Sequence, residues 1–528
     1  MPPASEWLSF ASQLLRVPGL DILLDFSAMP ITTEDERHLA PAFVRAFDEM
    51  RALESGAMAN RDEGRRVGHY WLRAPELAPE PEIAAAITQA RERVKDFAQR
   101  VRRGEIGPRS GERFERVLLI GIGGSALGPQ LAHDAFGASR EGLKLDFFDN
   151  TDPAGFEQVF ERLAEKLART LVVVTSKSGG TPETRNGLEE VRARLLAAGY
   201  EPAKQLVAVT GESSQLAERA RDEGWVATFP MWDWIGGRTS ECSAVGLLPL
   251  ALAGRDVDAL LEGARLMDDA TRREDLARNP AARLALAWHV ACGGRGERNM
   301  VVIPYRDRLA LWGRYLQQLV MESLGKERDR SGELVRQGLT VYGNKGSTDQ
   351  HAYVQQLREG VDNYFLTLLA SMEDPPGPPL EVEPGITSGD YLLGFLLGTR
   401  RALCDDGRRV ITLVIPRVDE RILGALIALF ERTVGFYASL IDINAYHQPG
   451  VEAGKQAAAS VLALQGALLE EMRRVGGARS AEDWARRVGR EELAVEAFWL
   501  LEHLAVNAAR GVRREGEPLD PMARYALL

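Results

Sequence analysis

Between residues 117 and 211, four short β-rich runs, VLLIGIG, LKLDFFDN, TLVVVTS and QLVAVTG, alternate with helical stretches such as GFEQVFERLAEKL and RNGLEEVRARLLAAG. No other feature of the chain restricts its fold as strongly. Strands alternating with helices imply a parallel sheet covered on both faces, the helices being the crossovers that parallel pairing requires. The alternation resumes at NMVVIPY and continues through NYFLTLL and RRVITLVIP. This predicts an α/β protein with two doubly wound parallel-sheet domains, at 115–265 and 295–455, joined by a helical connection at 266–294. Residues 1–114 read as a helical N-terminal segment with no convincing strand. Its clearest element, EIAAAITQARERVKDFAQRVRRG, is an amphipathic helix ended by Gly104. Residues 456–528 read as a helical C-terminal segment.

Charge and composition remove several classes of function. A formal net charge of −11 argues against nucleic acid and against an anionic membrane surface as partners. It leaves room for a small anion held by a local cluster of donors. Cys242, Cys292 and Cys404 are too few and too far apart for a disulfide framework or a zinc site. The stretch ILGALIALFERTVGFYASLI is broken by Glu431 and Arg432 and reads as a buried helix rather than a membrane span. MPPASEWLSF lacks the basic and apolar regions of a secretory signal, so a cytoplasmic protein is expected. His38, His133, His289 and His503 have no spacing suited to metal ligands.

Two loops carry the chemistry. The first, GIGGSALGP, places glycines and Ser125 between a strand and a helix, where main-chain N–H groups bind anions. Gly121, Gly123 and Ala126 also satisfy a dinucleotide fingerprint, and LKLDFFDN ends in acidic residues near the position of a ribose-binding aspartate. The second loop, SKSGGTPET, favours a different ligand. Ser176, Ser178 and Thr181 offer three hydroxyls, Lys177 an ammonium, and Gly179 and Gly180 close backbone approach. Thr181 is placed to cap a helix that Pro182 starts. Such a cup suits a phosphate dianion. With Gly124 and Ser125 bordering the remainder of the ligand, a sugar phosphate fits better than a dinucleotide.

The sequence resembles the glucose-6-phosphate isomerase family, which is built on paired sugar-isomerase (SIS) domains. The resemblance rests on NRDEGRRVGHYWLR, GIGGSALGP, SKSGGTPET, GGRTSECSAVG, MESLGK, GSTDQHAYVQQLREG and QPGVEAGK, which follow one another in the family's order. Gly180 stands where many members have threonine, and His447 where aspartate is frequent. The reaction this implies moves a proton between adjacent carbons of a sugar phosphate and needs no redox cofactor. Alternatives of the same site are a dual phosphoglucose and phosphomannose isomerase, or a non-catalytic sugar-phosphate binder.

That reaction requires a base, a ring-opening pair and a positive group facing an enediolate. YRDRLALWGRYLQQLVMESLGK reads as one helix with Gly325 as its C-cap, so Gln318 and Glu322 share a face and Glu322 falls in the last turn. The helix dipole disfavours a negative charge there. The resemblance makes Glu322 the base and Gln318 a substrate contact. His351 is expected in the first turn of a helix capped by Ser347 or Thr348, where the dipole favours an uncharged ring. The resemblance makes it the ring-opening residue, contributed across the interface of a homodimer. It likewise makes Lys455 the lysine near the ring oxygen and Arg238 the group beside the sugar. His69 is read as architectural.

Overall fold

A computed structural model of the chain describes residues 4–528, apart from the side chains of residues 4–6, 9, 451–453 and 455. The described chain divides into two compact units, one ending at His447 and one starting at Gln448.

The two large sheets lie in the first unit. The first is five-stranded, in the order Lys144–Phe148, Arg116–Ile120, Thr170–Ser176, Leu206–Thr210, Ala227–Pro230, and is parallel throughout. Its side chains alternate between two cores as the period-two geometry of a strand demands. Leu118, Val172 and Ala208 pack under helices Pro153–Leu163 and Pro182–Ala197. Val117, Leu119, Val173 and Val207 face the large central core. The amphipathic helix read at 82–104 is Pro81–Arg103, with Gly104 left-handed at φ 76° beyond its end.

The second sheet is six-stranded: Leu14–Val17, Ile22–Ala28, Val410–Ile415, Tyr364–Ser371, Asn299–Pro304, Val341–Tyr342. Its last four strands are parallel. Two doubly wound domains were the expectation, and the parallel parts of both sheets have that form. The first two strands correct the reading of residues 1–114 as strandless. They form an antiparallel hairpin that adds to the edge of the second sheet. Asp25 interrupts the apolar run of this segment, and its carboxylate is answered by Arg400 at 2.8 Å, far away in the chain.

Helix Glu420–Leu440 crosses the central core. It is long and apolar enough to span a membrane, yet 94% of that window is buried inside the protein. Its two buried charges are met there, Glu431 by Arg73 at 2.6 Å and Arg432 by Glu54. The reading of this stretch as a buried helix is borne out.

The second unit contains helices Pro449–Val475, Ala481–Arg487 and Ala494–Val506. A three-stranded antiparallel sheet, Arg479–Ser480, Arg524–Leu527 and Val512–Glu515, completes it, so this segment is not helical alone.

Candidate active site

The first sheet reverses its winding between Arg116–Ile120 and Thr170–Ser176. Ligands of open α/β sheets bind beyond the carboxyl ends of strands at such a reversal. Both glycine-rich loops leave the sheet at this place.

The first loop turns through Gly123 (φ 57°) and a 3-10 turn, Gly123–Ser125, into helix Leu127–Phe136. Gly124 is demanded by its neighbours: a Cβ there would collide with the carbonyl group of Gly237 and lie 2.8 Å from the Arg238 nitrogen. The close approach is therefore to another loop of the protein. Asp149, near the place of a ribose-binding acid, accepts from Gln130 Nε2 at 2.8 Å and faces Arg314 at 3.4 Å. A cavity of about 300 Å³ opens beside this loop, lined in part by Gly123, Ala126, Gln317 and Gln318.

The second loop gathers its hydroxyls. Ser176 is buried at the strand end; its Oγ accepts from the Gly179 N–H at 3.1 Å and donates to Thr181 Oγ1 at 3.2 Å. Ser178 Oγ accepts from the Gly180 N–H at 3.2 Å. Thr181 occupies the N-cap of helix Pro182–Ala197, but its side chain makes no capping bond and turns to Ser176 instead. The Lys177 side chain departs from the expected cup. Its ammonium donates to the carbonyls of Asp233 and Ile235, at 2.8 and 2.9 Å. Burial, then the nearby Arg65 charge, bring its pKa down to about 8. Two main-chain carbonyls satisfy a half-buried ammonium that would otherwise be costly. The lysine thereby ties the hydroxyl loop to the segment leading into Arg238.

Arg238 joins the two halves of the site. It is 5% exposed. Its Nε donates to Ser323 Oγ at 2.6 Å, its Nη2 to the carbonyl of Ala445, and its Nη1 lies 3.9 Å from Glu322 Oε1. Burial draws its pKa below the usual arginine range, against the pull of the Glu322 carboxylate.

The segment carrying Glu322 is not the single α-helix expected. A 3-10 turn at Asp307–Leu309 and an α-helical turn at Trp312–Leu316 lead into a π-helical turn, Gln317–Glu322. Such turns bond i to i+5 and concentrate at functional sites. Gln318 and Glu322 both lie in this turn, and the Gln318 amide lies 3.0 Å from where a Cβ on Gly123 would stand.

His351 closes a 3-10 turn, Thr348–His351, that no side chain caps, rather than opening an α-helix. Buried Asp349 organises this turn by accepting from the Asn344 N–H at 2.8 Å and from the Tyr353 hydroxyl. His351 is exposed, and among the described residues no hydrogen bond or ion pair joins it to Glu322, Arg238 or the hydroxyl loop. Lys455 falls in helix Pro449–Val475 of the second unit, and its side chain lies outside the described residues. His69 is buried against Tyr70, at 4.0 Å between ring centroids, which suits an architectural role. His447 Nδ1 lies 3.2 Å from the Asn444 carbonyl oxygen and 3.8 Å from Asp62.

Sequence reasoning passed over Ser323 and Lys326. Ser323 receives Arg238, and Lys326 holds the carbonyls of Glu322 and Ser323. Both lie inside MESLGK, so the motif itself was the available signal.

A family model described as phosphoglucose isomerase matches residues 25–370 and 401–475. A glucose-6-phosphate isomerase of Synechococcus sp. (strain JA-2-3B'a(2-13)) is 55% identical over 518 residues, covering 98% of this chain and 97% of that one. One from Geobacter sulfurreducens is 55% identical over 519 residues, 98% of each chain. Among solved structures, a glucose-6-phosphate isomerase from Chlamydia trachomatis superposes with a TM-score of 0.78 at 25% identity, over 87% of this chain and 91% of that one.

Proposed function

The chain belongs to the phosphoglucose isomerase family, and from that premise we infer that it interconverts glucose 6-phosphate and fructose 6-phosphate. The phosphate rests on the hydroxyls of Ser176, Ser178 and Thr181 and on the N–H groups of their loop, while the Lys177 ammonium holds that loop in place. Gly124, Ser125 and Gln318 border the sugar. His351 and Lys455 open the ring, with His351 serving the neighbouring subunit of a homodimer. Its exposure, and the absence among the described residues of a bond from it to Glu322, Arg238 or the hydroxyl loop, support that placement. The enzyme works in the cytoplasm.

In the open-chain sugar, Glu322 removes the proton from C2 and returns it to C1 through an enediolate. Arg238 faces the oxygens on which negative charge grows. One observation carries this reading: Arg238 lies 3.9 Å from the Glu322 carboxylate while its own backbone packs against Gly124. Base, cation and sugar loop thus meet at one place.

The test is a coupled assay with fructose 6-phosphate supplied and glucose 6-phosphate detected, run beside mannose 6-phosphate. Turnover that Glu322→Gln abolishes, with sugar-phosphate binding retained, is the expected result. Unchanged turnover in that variant rejects Glu322 as the base. Turnover of mannose 6-phosphate would widen the substrate range to both aldoses.

A further inference from the structure

MESLGK brings a second buried cation to the base. Lys326 is 5% exposed, and its ammonium donates to the main-chain carbonyls of Glu322 and Ser323, each at 2.8 Å. The last carbonyls of a helix lack intrahelical donors. Here the Gly325 N–H takes the Met321 carbonyl at 2.8 Å, and Lys326 takes the two that follow. The hydroxyl of Ser323 meanwhile receives Arg238 Nε at 2.6 Å. Glu322 is therefore held through its own carbonyl by one cation and through the next residue by another. A buried lysine whose hydrogen bonds go to main-chain carbonyls is an expensive way to end a helix, since glycine and water serve elsewhere. Its placement one residue past the motif's glycine acquires a reason if its charge is used.

We propose that Lys326 is a positioning residue for the isomerisation: its ammonium locks the carbonyl end of the π-helical turn so that the Glu322 carboxylate is fixed against the sugar, and adds its charge to that of Arg238 where the enediolate forms. This rests on Glu322 being the base.

Other charged and titratable groups face this ammonium. Arg238 comes from the 236–240 loop, Asp62 from the 61–63 turn and His447 from the end of the first unit, beside Glu322 itself. Burial first, and Arg238 second, bring the Lys326 pKa down to about 8, with Glu322 and Asp62 opposing. Below that pH the group is charged. As pH rises through it, the neutral amine still has N–H donors for both carbonyls, but the charge is gone. The kcat should therefore fall on the alkaline side. An arginine stays charged throughout this range.

The experiment measures kcat and KM for fructose 6-phosphate against pH in the full-length chain, its Lys326→Met and its Lys326→Arg variants, with circular dichroism and a thermal midpoint for each. In Lys326→Met, kcat should drop about 100-fold, as for a catalytic group displaced by about an ångström, with KM changed by less than about threefold. Lys326→Arg should recover most of kcat and carry its alkaline limb upward by more than about one pH unit. Wild-type kcat in folded Lys326→Met, an unmoved limb in Lys326→Arg, or a wild-type kcat without an alkaline limb overturns the proposal. Retained turnover in Glu322→Gln would instead strike the base assignment, which separates the two failures.

Discussion

The parallel parts of the two sheets wind alike, yet the site uses them differently. In each, the strand first in the chain sits inside, the next lies outside it, and the third and fourth follow on the other side. On the first sheet the functional groups come at once after the strands. Ser176 ends its strand, and Ser178 and Thr181 follow within the same loop. On the second sheet strand Asn299–Pro304 is followed by a 3-10 turn, an α-turn and a π-turn before Glu322 arrives. Local chain supplies the hydroxyls of the proposed anion cup. The proposed base is held by near neighbours and also by a residue distant in sequence, Arg238 being 85 residues from Ser323 and 207 from Ala445. The proposed binding hydroxyls thus come from one stretch of chain, whereas the proposed base is reached across the fold.

If that division holds, variants on the second sheet change turnover and variants on the first change affinity. Glu322→Gln should show the largest effect, a loss of kcat on the order of 10³-fold or more, with KM close to wild type. Steady-state kinetics with a separate binding measurement checks it. A large rise in KM with little change in kcat would place Glu322 in binding and erase the contrast.

Arg238 tests where the division breaks. It follows the last strand of the first sheet, yet its guanidinium ends on Ser323 and beside Glu322. Arg238→Lys keeps a charge but loses the planar fork that reaches Ser323 and Ala445 together. The kcat should fall about 10²-fold, the scale of a lost transition-state donor. A fall in kcat as well as kcat/KM would assign this loop to the chemistry despite its place in the fold. A change in KM alone would return it to the binding side.

How much of this was legible in the sequence follows the same line. The parallel strands were readable because strands buried on both faces carry continuous apolar runs, as Leu171–Val174 does within Thr170–Ser176. The N-terminal hairpin was not, because Asp25 breaks the apolar run and its partner Arg400 belongs to another part of the chain. Strand Val341–Tyr342 is too short to show a period. The hydroxyls that gather in the second loop were legible residue by residue. The direction of the Lys177 side chain was not, since it depends on the carbonyls of Asp233 and Ile235. The π-turn leaves no distinct mark either, because residues four apart stay close whether the helix bonds i to i+4 or to i+5. Glu322 and His351 owe their proposed roles to the motifs around them. No local pattern distinguishes either from an ordinary polar residue.

On the binding side, Ser176→Ala should raise KM about tenfold and leave kcat within about threefold, the worth of one hydrogen bond to a charged group. The serine sits at the centre of the loop's own bonds, to Gly179 and Thr181, so the variant also loosens the cup. Initial rates over a range of fructose 6-phosphate decide it. A kcat loss as large as that of Arg238→Lys would mean that the cup orients the sugar for proton transfer, and the contrast between the sheets would be one of construction only.

The smallest effect is expected where the loop departs from its family. Gly180 is exposed, has no left-handed φ, and a Cβ there would meet only Ser178 Oγ, at 3.9 Å. A threonine therefore fits without moving the backbone. Its N–H can keep the bond to the Ser178 hydroxyl that Gly180 now makes, because the donor is main-chain. The added hydroxyl would join those of Ser176, Ser178 and Thr181 around the dianion. It also removes a glycine's freedom from the unfolded chain, which favours the folded loop slightly. Gly180→Thr should thus lower KM by about two- to threefold, less than a full charge-assisted bond because the exposed hydroxyl gives up water to make it. The kcat should not change, since the residue lies on the binding side. An unchanged KM would mean that three hydroxyls and the main chain already saturate the phosphate. A raised KM would mean that the cup closes more tightly around its ligand than the open loop suggests, and that glycine is needed for the closure.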